Sequence, residues 1–349
     1  MDRRCTRARS DAPRECNVSE PSGVEPVGAA PSQSARRPRA DWLPQAIIAG
    51  LAVTAITVSI ILTPSFLTID NIRAILRNAS IVGIVAVAMT PMTLSGNFVS
   101  LAISQSSMLA MVSFVAMIGA GWPQPVAILI VILALIVVGI VQGIIVATGL
   151  NPIITTLAAG AIIYGVVSEI TGGGIIRAGD NLVSWGSSTL AEIPIQVLVF
   201  LIFTILVTIL MSRTVIGRET MLVGANRATA GISGISIFHV TILAFVIFSV
   251  GLALAGILNG AAFNQATARS FPNLTIDVIA ALLVGGTAIQ GGQGSPLRSA
   301  GGALLIAVIS NMMVLNDFST GGRLAVQGGV VVVIVVLLDQ IRRRQMASS

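Results

Sequence analysis

Long apolar segments separated by short polar loops fill the sequence after residue 42. A membrane-spanning helix needs about 20 mostly apolar residues, and six segments come close to that length: 43–62, 126–146, 153–170, 193–211, 238–262 and 324–338. Four further apolar segments are shorter and adjoin pieces rich in Gly, Ser or Asn: 79–94, 104–119, 276–289 and 301–315. This pattern predicts an all-α polytopic membrane protein with about ten transmembrane helices.

The four short segments indicate where a path through the membrane would lie. Non-helical backbone at membrane depth is tolerated only where protein buries it or where it lines a cavity. Short or broken helices are therefore typical of transport paths. The polar residues in or near the weaker segments and at the start of 153–170 are candidates for lining such a path: Asn97, Ser100, Ser104, Gln105, Asn151, Thr156, Asp277 and Asn311.

Composition supports a membrane protein and excludes several other classes. The chain has 349 residues, of which 54% are hydrophobic and 10% charged, against about 45–50% and 25% in soluble domains. Aromatic residues make up 4% of the chain, too few for a platform that stacks nucleic-acid bases. One His and two Cys, Cys5 and Cys16, form no metal-binding cluster. We therefore expect no nucleic-acid partner, no metal and no cofactor.

Arginine placement predicts the topology. All 20 basic residues are Arg, and with ten spans 15 of them fall on one side and five on the other. Because cytoplasmic loops carry the excess of positive charge, both termini are predicted to be cytoplasmic. Residues 1–41 form an Arg/Pro/Ser-rich tail that we expect to be disordered, residues 42–341 the transmembrane domain, and residues 342–349 a second cytoplasmic tail.

The longest polar loop on the predicted cytoplasmic side covers residues 211–237. It carries Arg213, Arg218 and Arg227 but a single acid, Glu219. Glycine tends to interrupt helices, so Gly217 and Gly231 are expected to bracket one helix-sized piece. Such a loop is suited to docking a soluble partner. On the opposite side, the long glycine-rich loop 171–192 is expected either to receive a second soluble partner or to be a lid or loose connector in which Trp185 anchors the loop at the membrane interface.

The loop 211–237 also carries a family resemblance. Gly217-Arg218, Gly224-Ala225-Asn226-Arg227-Ala228 and Ser233-Gly234-Ile235 resemble the cytoplasmic coupling loop of the ribose/xylose/arabinose-type permease subunits of bacterial ABC importers. Asn151-Pro152-Ile153-Ile154-Thr155-Thr156-Leu157 is similar to another stretch of that family. A more specific resemblance covers 275–316, with Ile276-Asp277-Val278-Ile279-Ala280-Ala281, Gly285-Gly286-Thr287 and Gly291-Gly292-Gln293-Gly294-Ser295.

This resemblance implies a function and a set of partners. The chain would move a small polar solute, by default a monosaccharide, into the cytoplasm across the bacterial inner membrane by ATP-driven alternating access. Its partners would be an ATP-binding cassette subunit, a periplasmic substrate-binding protein, a second permease copy and membrane lipid. The residues expected to couple to the ATPase are Gly217, Arg218, Glu219, Gly224, Ala225, Asn226, Arg227, Gly231, Ser233 and Gly234.

The chain itself is not expected to be an enzyme. A phosphate-binding loop of the GxxxxGK[ST] type needs a lysine, and the sequence has none. Gly231-Ile232-Ser233-Gly234 matches the GxSG of rhomboid proteases, but the single histidine, His239, lies only six residues from Ser233. A catalytic pair would face each other from separate buried elements. ATP hydrolysis is therefore expected in a separate subunit.

One departure from the family leaves the solute open. The family usually shows Gly-Ile-Asp-Leu-Ser-Val-Gly where this chain has Gly96-Asn97-Phe98-Val99-Ser100-Leu101-Ala102, and no acid occurs between Asp70 and Glu169. If the family's aspartate holds a polar solute, Asn97, Ser100, Ser104 or Gln105 must replace it. Two alternatives remain: an ion-coupled secondary transporter, which the scarcity of buried acids disfavours, and a membrane scaffold that transports nothing.

Overall fold

A computed structural model describes residues 66–97, 99–179, 181–190, 192–288 and 290–347, together with Gly50, Thr54 and Thr57. The predicted tail 1–41 and nearly all of the predicted first span, 43–62, lie outside the described residues. The described part contains eleven helices. These are α1 Ile69–Leu94, α2 Ile103–Gly119, α3 Gln124–Ala147, α4 Pro152–Thr171, α5 Ile195–Arg213, α6 Val215–Ala225, α7 Arg227–Ile232, α8 Ile237–Phe263, α9 Leu274–Val284, α10 Pro296–Leu315 and α11 Thr320–Ala347.

Six of these helices, α1, α3, α4, α5, α8 and α10, are long and apolar enough to cross a membrane. This confirms the predicted all-α, polytopic class. Helices α2 and α9 are apolar but have only 17 and 11 residues, too few to span a bilayer about 30 Å thick at 1.5 Å per residue. Of the four segments predicted to be short, only these two are short helices.

The other two predicted short segments belong to full-length helices. Helix α1 has 26 residues and begins ten residues before the predicted segment. Arg73 and Arg77 lower the hydropathy of its first turns, but arginine is a good helix former, so the helix continues through them. Helix α10 has 20 residues. Gly302 lies inside this helix, where a Cβ would come within 2.1 Å of the Ala281 carbonyl oxygen. Glycine at this position therefore lets α9 and α10 pack closely.

Helices α1 and α8 form the centre of the core. Every residue of α1 from Val82 to Leu94 is buried, and α8 packs against α1, α2 and α3 through small residues. A Cβ on Gly139 of α3 would lie 2.0 Å from Ser249 Oγ of α8, and one on Gly256 of α8 would lie 2.5 Å from the Ser107 carbonyl of α2. Small residues that let backbones approach are typical of helix packing in membranes.

Four short strands lie together at one end of the helices. Strand β1 (Ile175–Arg177) pairs antiparallel with β4 (Gln265–Thr267), and β2 (Thr189–Leu190) pairs antiparallel with β3 (Ile193–Pro194). Arg73, near the start of α1, donates from Nε to the Glu192 carbonyl at 3.3 Å. We call this end, with its strands and neighbouring loops, the β face.

The opposite end of the helices carries α6, α7 and the segment 290–295. Here α1 ends, and the Leu94 carbonyl accepts a hydrogen bond of 2.9 Å from the Gly292 N–H. We call this end the α7 face.

Candidate functional site: a junction of two short helices and a cavity

Two irregular segments lead the chain into the short helices. Residues 95–102 connect α1 to α2 from the α7 face, and residues 264–273 connect α8 to α9 from the β face. The α2 backbone reaches deep into the protein, because a Cβ on Gly160 would lie 3.5 Å from Ala102 Cα. Gly160 follows the start of α4 by eight residues, which is about 12 Å along a helix axis.

The first turns of α2 and α9 meet inside the protein and cap each other. The Ser104 N–H donates to Thr275 Oγ1 at 3.2 Å, and the Thr275 N–H donates to Ser104 Oγ at 3.2 Å. The two hydroxyl oxygens are 2.8 Å apart and share a third hydrogen bond. Each hydroxyl thus satisfies an N–H that the other helix leaves without an intrahelical partner. We call this contact the helix junction.

A cavity of about 670 Å³ lies between the β face and the helix junction. Helices α1, α2, α5, α8 and α9 and the segment 264–273, which includes β4, line it. Its apolar lining includes Ile81, Val82, Met111 and Leu258. Its polar lining consists of Arg77, Asn78, Gln196, Asn259, Gln265, Thr267, Arg269, Ser270, Asn273 and Asp277. A cavity with apolar walls and several convergent polar groups is the usual form of a small-molecule site.

Two polar side chains of this cavity are fixed by hydrogen bonds. Gln196 is 2% exposed, and its Nε2 donates to the Gly186 carbonyl at 2.7 Å. Asp277 lies in the first turn of α9, where a carboxylate interacts favourably with the helix dipole. Its Oδ1 accepts a hydrogen bond of 2.6 Å from Gln327 Nε2 of α11. Asp277 therefore both lines the cavity and braces α9 against α11.

At the α7 face, Arg227 contacts the segment that leads into α2. Its Nη2 donates to the Ser95 carbonyl at 3.4 Å, to the Gly96 carbonyl at 3.2 Å and to Asn97 Oδ1. Asn97 is completely buried, and its Nδ2 donates to Ser95 Oγ at 2.8 Å. The first residue of α7 thus holds the backbone at the end of α1.

Two glycines allow this contact to be close. A Cβ on Gly224 would lie 1.7 Å from the Leu94 carbonyl oxygen, and one on Gly291 would lie 2.8 Å from Gly96 Cα. Gly291 also has a φ of +91°, a conformation that glycine adopts readily and other residues rarely do. Helix α6, residues 95–97 and the segment 290–295 therefore meet backbone to backbone.

A family model described as the branched-chain amino acid transport system / permease component matches residues 71–335. The chain belongs to this permease family. Among its relatives, the ribose import permease protein of Bacillus subtilis is 30% identical over 283 residues, covering 80% of this chain and 87% of the relative. The ribose import permease protein of Haemophilus influenzae is 29% identical over 276 residues, covering 77% and 84%. No solved structure matches the chain.

A third relative is named for a different sugar. The galactofuranose transporter permease protein of Escherichia coli is 30% identical over 247 residues, which cover 70% of this chain and 72% of that protein. The resemblance recognised in the sequence is therefore confirmed. The permease is a multi-pass membrane protein, and the relatives named here are transport proteins.

The predicted coupling residues divide between α6, α7 and the turn that follows. Gly217, Arg218, Glu219, Gly224 and Ala225 lie in α6, Arg227 and Gly231 in α7, and Ser233 and Gly234 just after it. The expected helix breaks at Gly217 and Gly231 are not present. The break is at Asn226 instead, whose side chain accepts from the Thr229 N–H at 3.1 Å and caps α7. Gly217 lies inside α6, and a Cβ there would lie 2.0 Å from the Met211 carbonyl oxygen, so α6 packs closely against the end of α5 at this position.

The predicted path residues lie in several places in the permease. Ser104 is part of the helix junction, and Asp277 is the one of the eight that lines the cavity within the described residues. Gln105 lies beside the junction, and its Oε1 has no hydrogen-bond partner among the described residues. These three positions remain path candidates on their geometry.

The remaining predicted path residues make structural contacts. Asn97 binds Arg227 at the α7 face, and Ser100 Oγ accepts from the Ala102 N–H at 3.2 Å. Thr156 Oγ1 accepts from the Leu101 N–H at 3.1 Å and so holds the same segment from α4. Asn151 caps α4 by accepting from the Ile153 N–H at 2.9 Å, and Asn311 donates to Asn71 Oδ1 at 2.9 Å between α10 and α1.

Sequence reasoning missed most of the polar cavity lining. In the sequence, Arg77 and Arg269 contribute only to the arginine count that predicts the topology. The sequence did contain one indication of these two arginines: they fall on the non-cytoplasmic side, where the positive-inside rule expects few arginines. Gln196, Asn273 and Asn78 carried no signal, because the packing of α1, α5, α8 and α9 is what brings them together.

Proposed function

We propose that this chain is the membrane-spanning permease subunit of an ABC importer that carries a small polar solute of the sugar class into the cytoplasm. The observation that carries the proposal is the one-sided access to the helix junction. A cavity reaches α9 from the β face, whereas on the α7 face backbone contacts cover residues 95–97, which lead towards α2. The names of the relatives, which import ribose or galactofuranose, favour a sugar-like solute.

The arrangement fits one state of an alternating-access cycle. The β face would be periplasmic and the α7 face cytoplasmic, with both termini in the cytoplasm. A solute released at the β face would enter the cavity and reach Ser104 and Gln105 at the helix junction. Separation of α6 and α7 from the end of α1 would then open the junction to the other side.

Helices α6 and α7 would dock the ATP-binding cassette subunit. Helix α7 protrudes from the body of the protein, since Ile232 at its end is 90% exposed, and Gly231, Ser233 and Gly234 are exposed as well. Because these residues are exposed, the end of α7 is accessible to a soluble partner. Through Arg227, a displacement of α7 would be passed directly to residues 95–97. Gly217, Arg218, Glu219, Gly224, Ala225 and Asn226 would complete the docking surface.

Further partners complete the proposed importer. ATP would be hydrolysed by the cassette subunit, because this chain has no phosphate-loop lysine. A periplasmic substrate-binding protein would dock on the β face and deliver the solute, and a second permease copy would complete the pair in the bacterial inner membrane. The cytoplasmic tails 1–41 and 342–349 would flank the permease domain 42–341.

Copurification with transport tests the proposal. The full chain is expressed with its chromosomal neighbours, isolated in mild detergent and reconstituted in liposomes. We expect an ATPase subunit to copurify and solute uptake to require ATP on the α7 side. Solute flux driven by an ion gradient, with no ATPase in the complex, would instead identify a secondary transporter. A chain that supports no flux under either condition would be a scaffold.

A further inference from the structure

We propose that the cavity on the β face accepts a small hydroxylated anion, whose carboxylate or phosphate group binds between Arg77 and Arg269. This inference rests on the proposed function, because it names the chemical class of the solute that the permease would carry. It is drawn from the charges and the unpaired polar atoms of the cavity lining.

The two cavity arginines differ from a neighbouring arginine in having no partner. Arg73 forms ion pairs with Asp70 at 3.5 Å and with Glu192 at 3.9 Å. Arg77, one turn further along α1, and Arg269, between β4 and α9, have no ion pair or side-chain hydrogen bond among the described residues. Both line the cavity, so two guanidinium groups that can only donate hydrogen bonds face the same space.

The one acid in the described lining does not neutralise these arginines. Among the described residues Asp277 forms no ion pair with Arg77 or Arg269; its Oδ1 accepts a hydrogen bond from Gln327, and it is half-buried in the first turn of α9. Arg77 and Arg269 are exposed and therefore lie nearer the opening of the cavity. An anion would thus bind with its charged group towards the opening. The paired N–H groups of a guanidinium favour carboxylate and phosphate, which can accept two parallel hydrogen bonds.

The inner part of the cavity offers a hydrogen-bond acceptor to the ligand. Gln196 is 2% exposed, its Nε2 is used by the Gly186 carbonyl, and its Oε1 has no partner among the described residues. A buried acceptor without a partner is costly. A hydroxyl group of the ligand could donate to it, while Asn259 and Asn273 offer both donors and acceptors. A hydroxylated acid satisfies both ends of the cavity, whereas a neutral polyol leaves the arginines unpaired.

Equilibrium dialysis of the full chain in nanodiscs of phosphatidylcholine tests this inference without knowledge of the natural solute. The probes are labelled D-ribonate, D-ribose 5-phosphate and D-ribose, so that the charged group is the main difference. We expect at least one anion to bind about tenfold more tightly than ribose, as charge-assisted hydrogen bonds predict, and its affinity to fall as salt is raised. Comparison of the two anions distinguishes carboxylate from phosphate.

Matched variants assign the binding to the two arginines. The double variant Arg77→Gln/Arg269→Gln is expected to lose the preference for the anion. The double variant Arg77→Lys/Arg269→Lys is expected to retain part of it, because lysine keeps the positive charge but lacks the paired N–H donors of arginine. Arg177→Gln is the control, since Arg177 is an exposed arginine of the β face outside the cavity lining. Size-exclusion chromatography checks that each variant is folded.

Two results would overturn the inference: equal binding of ribose and both anions, or an unchanged anion preference in the Arg77→Gln/Arg269→Gln variant. Absence of binding by any probe would also count against it. Failure of the importer proposal has a separate readout. If an ATPase copurifies and drives uptake but the anions have no advantage, only the assignment of solute class is wrong.

Discussion

The irregular segments 95–102 and 264–273 perform the same structural task but differ in what covers them. Each one ends a long helix, enters the body of the protein and starts a short helix, and the two short helices cap each other through Ser104 and Thr275. Residues 95–97 are covered by α6, α7 and the start of the segment 290–295. Residues 264–273 instead line an open cavity with Arg269, Ser270 and Asn273.

The difference shows how one helix junction can be closed to one side of a membrane and open to the other. On the closed side, backbone contacts at Gly224 and Gly291 leave no space for a side chain, and Arg227 adds charge-assisted hydrogen bonds. On the open side, polar side chains stand apart around a cavity. Separation of both α6 and α7 from the end of α1 would therefore be needed to uncover residues 95–97.

The largest expected effect comes from adding a side chain at Gly224. In Gly224→Ala the new Cβ would lie 1.7 Å from the Leu94 carbonyl oxygen, so α6 must move away from α1, at a cost of about 3 kcal/mol. We expect a lower melting temperature in detergent and loss of uptake. Gly301→Ala is the control, because nothing lies within 4 Å of its added Cβ and alanine favours the helix. Equal stability of the two variants would contradict the closed side described above.

The next effect comes from removing the Arg227 side chain. Arg227→Ala leaves the Ser95 and Gly96 carbonyls and Asn97 without their donor, a loss of about 2 kcal/mol. We expect the α7 face to open more often. A cysteine placed by Ser100→Cys, in a chain with Cys5 and Cys16 replaced by serine, should then react about tenfold faster with an impermeant maleimide added to that face.

Arg218→Ala serves as the control for Arg227→Ala. Arg218 is exposed on α6 and makes no side-chain hydrogen bond or ion pair among the described residues, so the labelling rate of the cysteine should stay unchanged. Arg227→Lys should give an intermediate rate. If Arg218→Ala and Arg227→Ala raised the rate equally, the effect would reflect loss of loop charge and not the contact with residues 95–97.

A smaller effect tests the helix junction itself. Ser104→Ala and Thr275→Val each remove one cap and leave a half-buried N–H without its partner, at a cost of about 1 kcal/mol each. Because the two hydroxyl groups are partners, the double variant should cost less than the two single losses added together. Thermal unfolding of the three variants measures this coupling, and strict additivity would show that the caps act independently.

The smallest effect concerns Asn151, which the sequence placed among the path candidates. Its side chain caps α4 at the surface, so Asn151→Ala should lower the free energy of unfolding by about 1 kcal/mol. Asn151→Ser retains the cap and should restore that stability. We expect uptake to continue in both variants. If both variants lost uptake while Asn151→Ser kept its stability, Asn151 would again be a candidate for lining the transport path.

Much of the fold could be predicted from the sequence because hydropathy acts locally along a chain. Runs such as 126–146 and 238–262 are long and apolar enough to predict spanning helices, and α3 and α8 cover both of them. The loop between α5 and α8 and its family resemblance could also be recognised, since its glycines, asparagine and arginine stand close together in sequence. Helix starts near Arg73 and Arg77 were missed, because a few charged residues lower hydropathy without ending a helix.

Only the tertiary structure decided which polar residues face one another. Arg77 and Arg269 are 192 positions apart in the sequence, and Asp277 and Gln327 are 50 apart, so no local pattern relates them. The same holds for Gly224, whose missing side chain matters only because the end of α1 lies against it. The apolar pattern determined that this chain forms membrane helices. The close packing of those helices decided where a cavity opens and where it is closed.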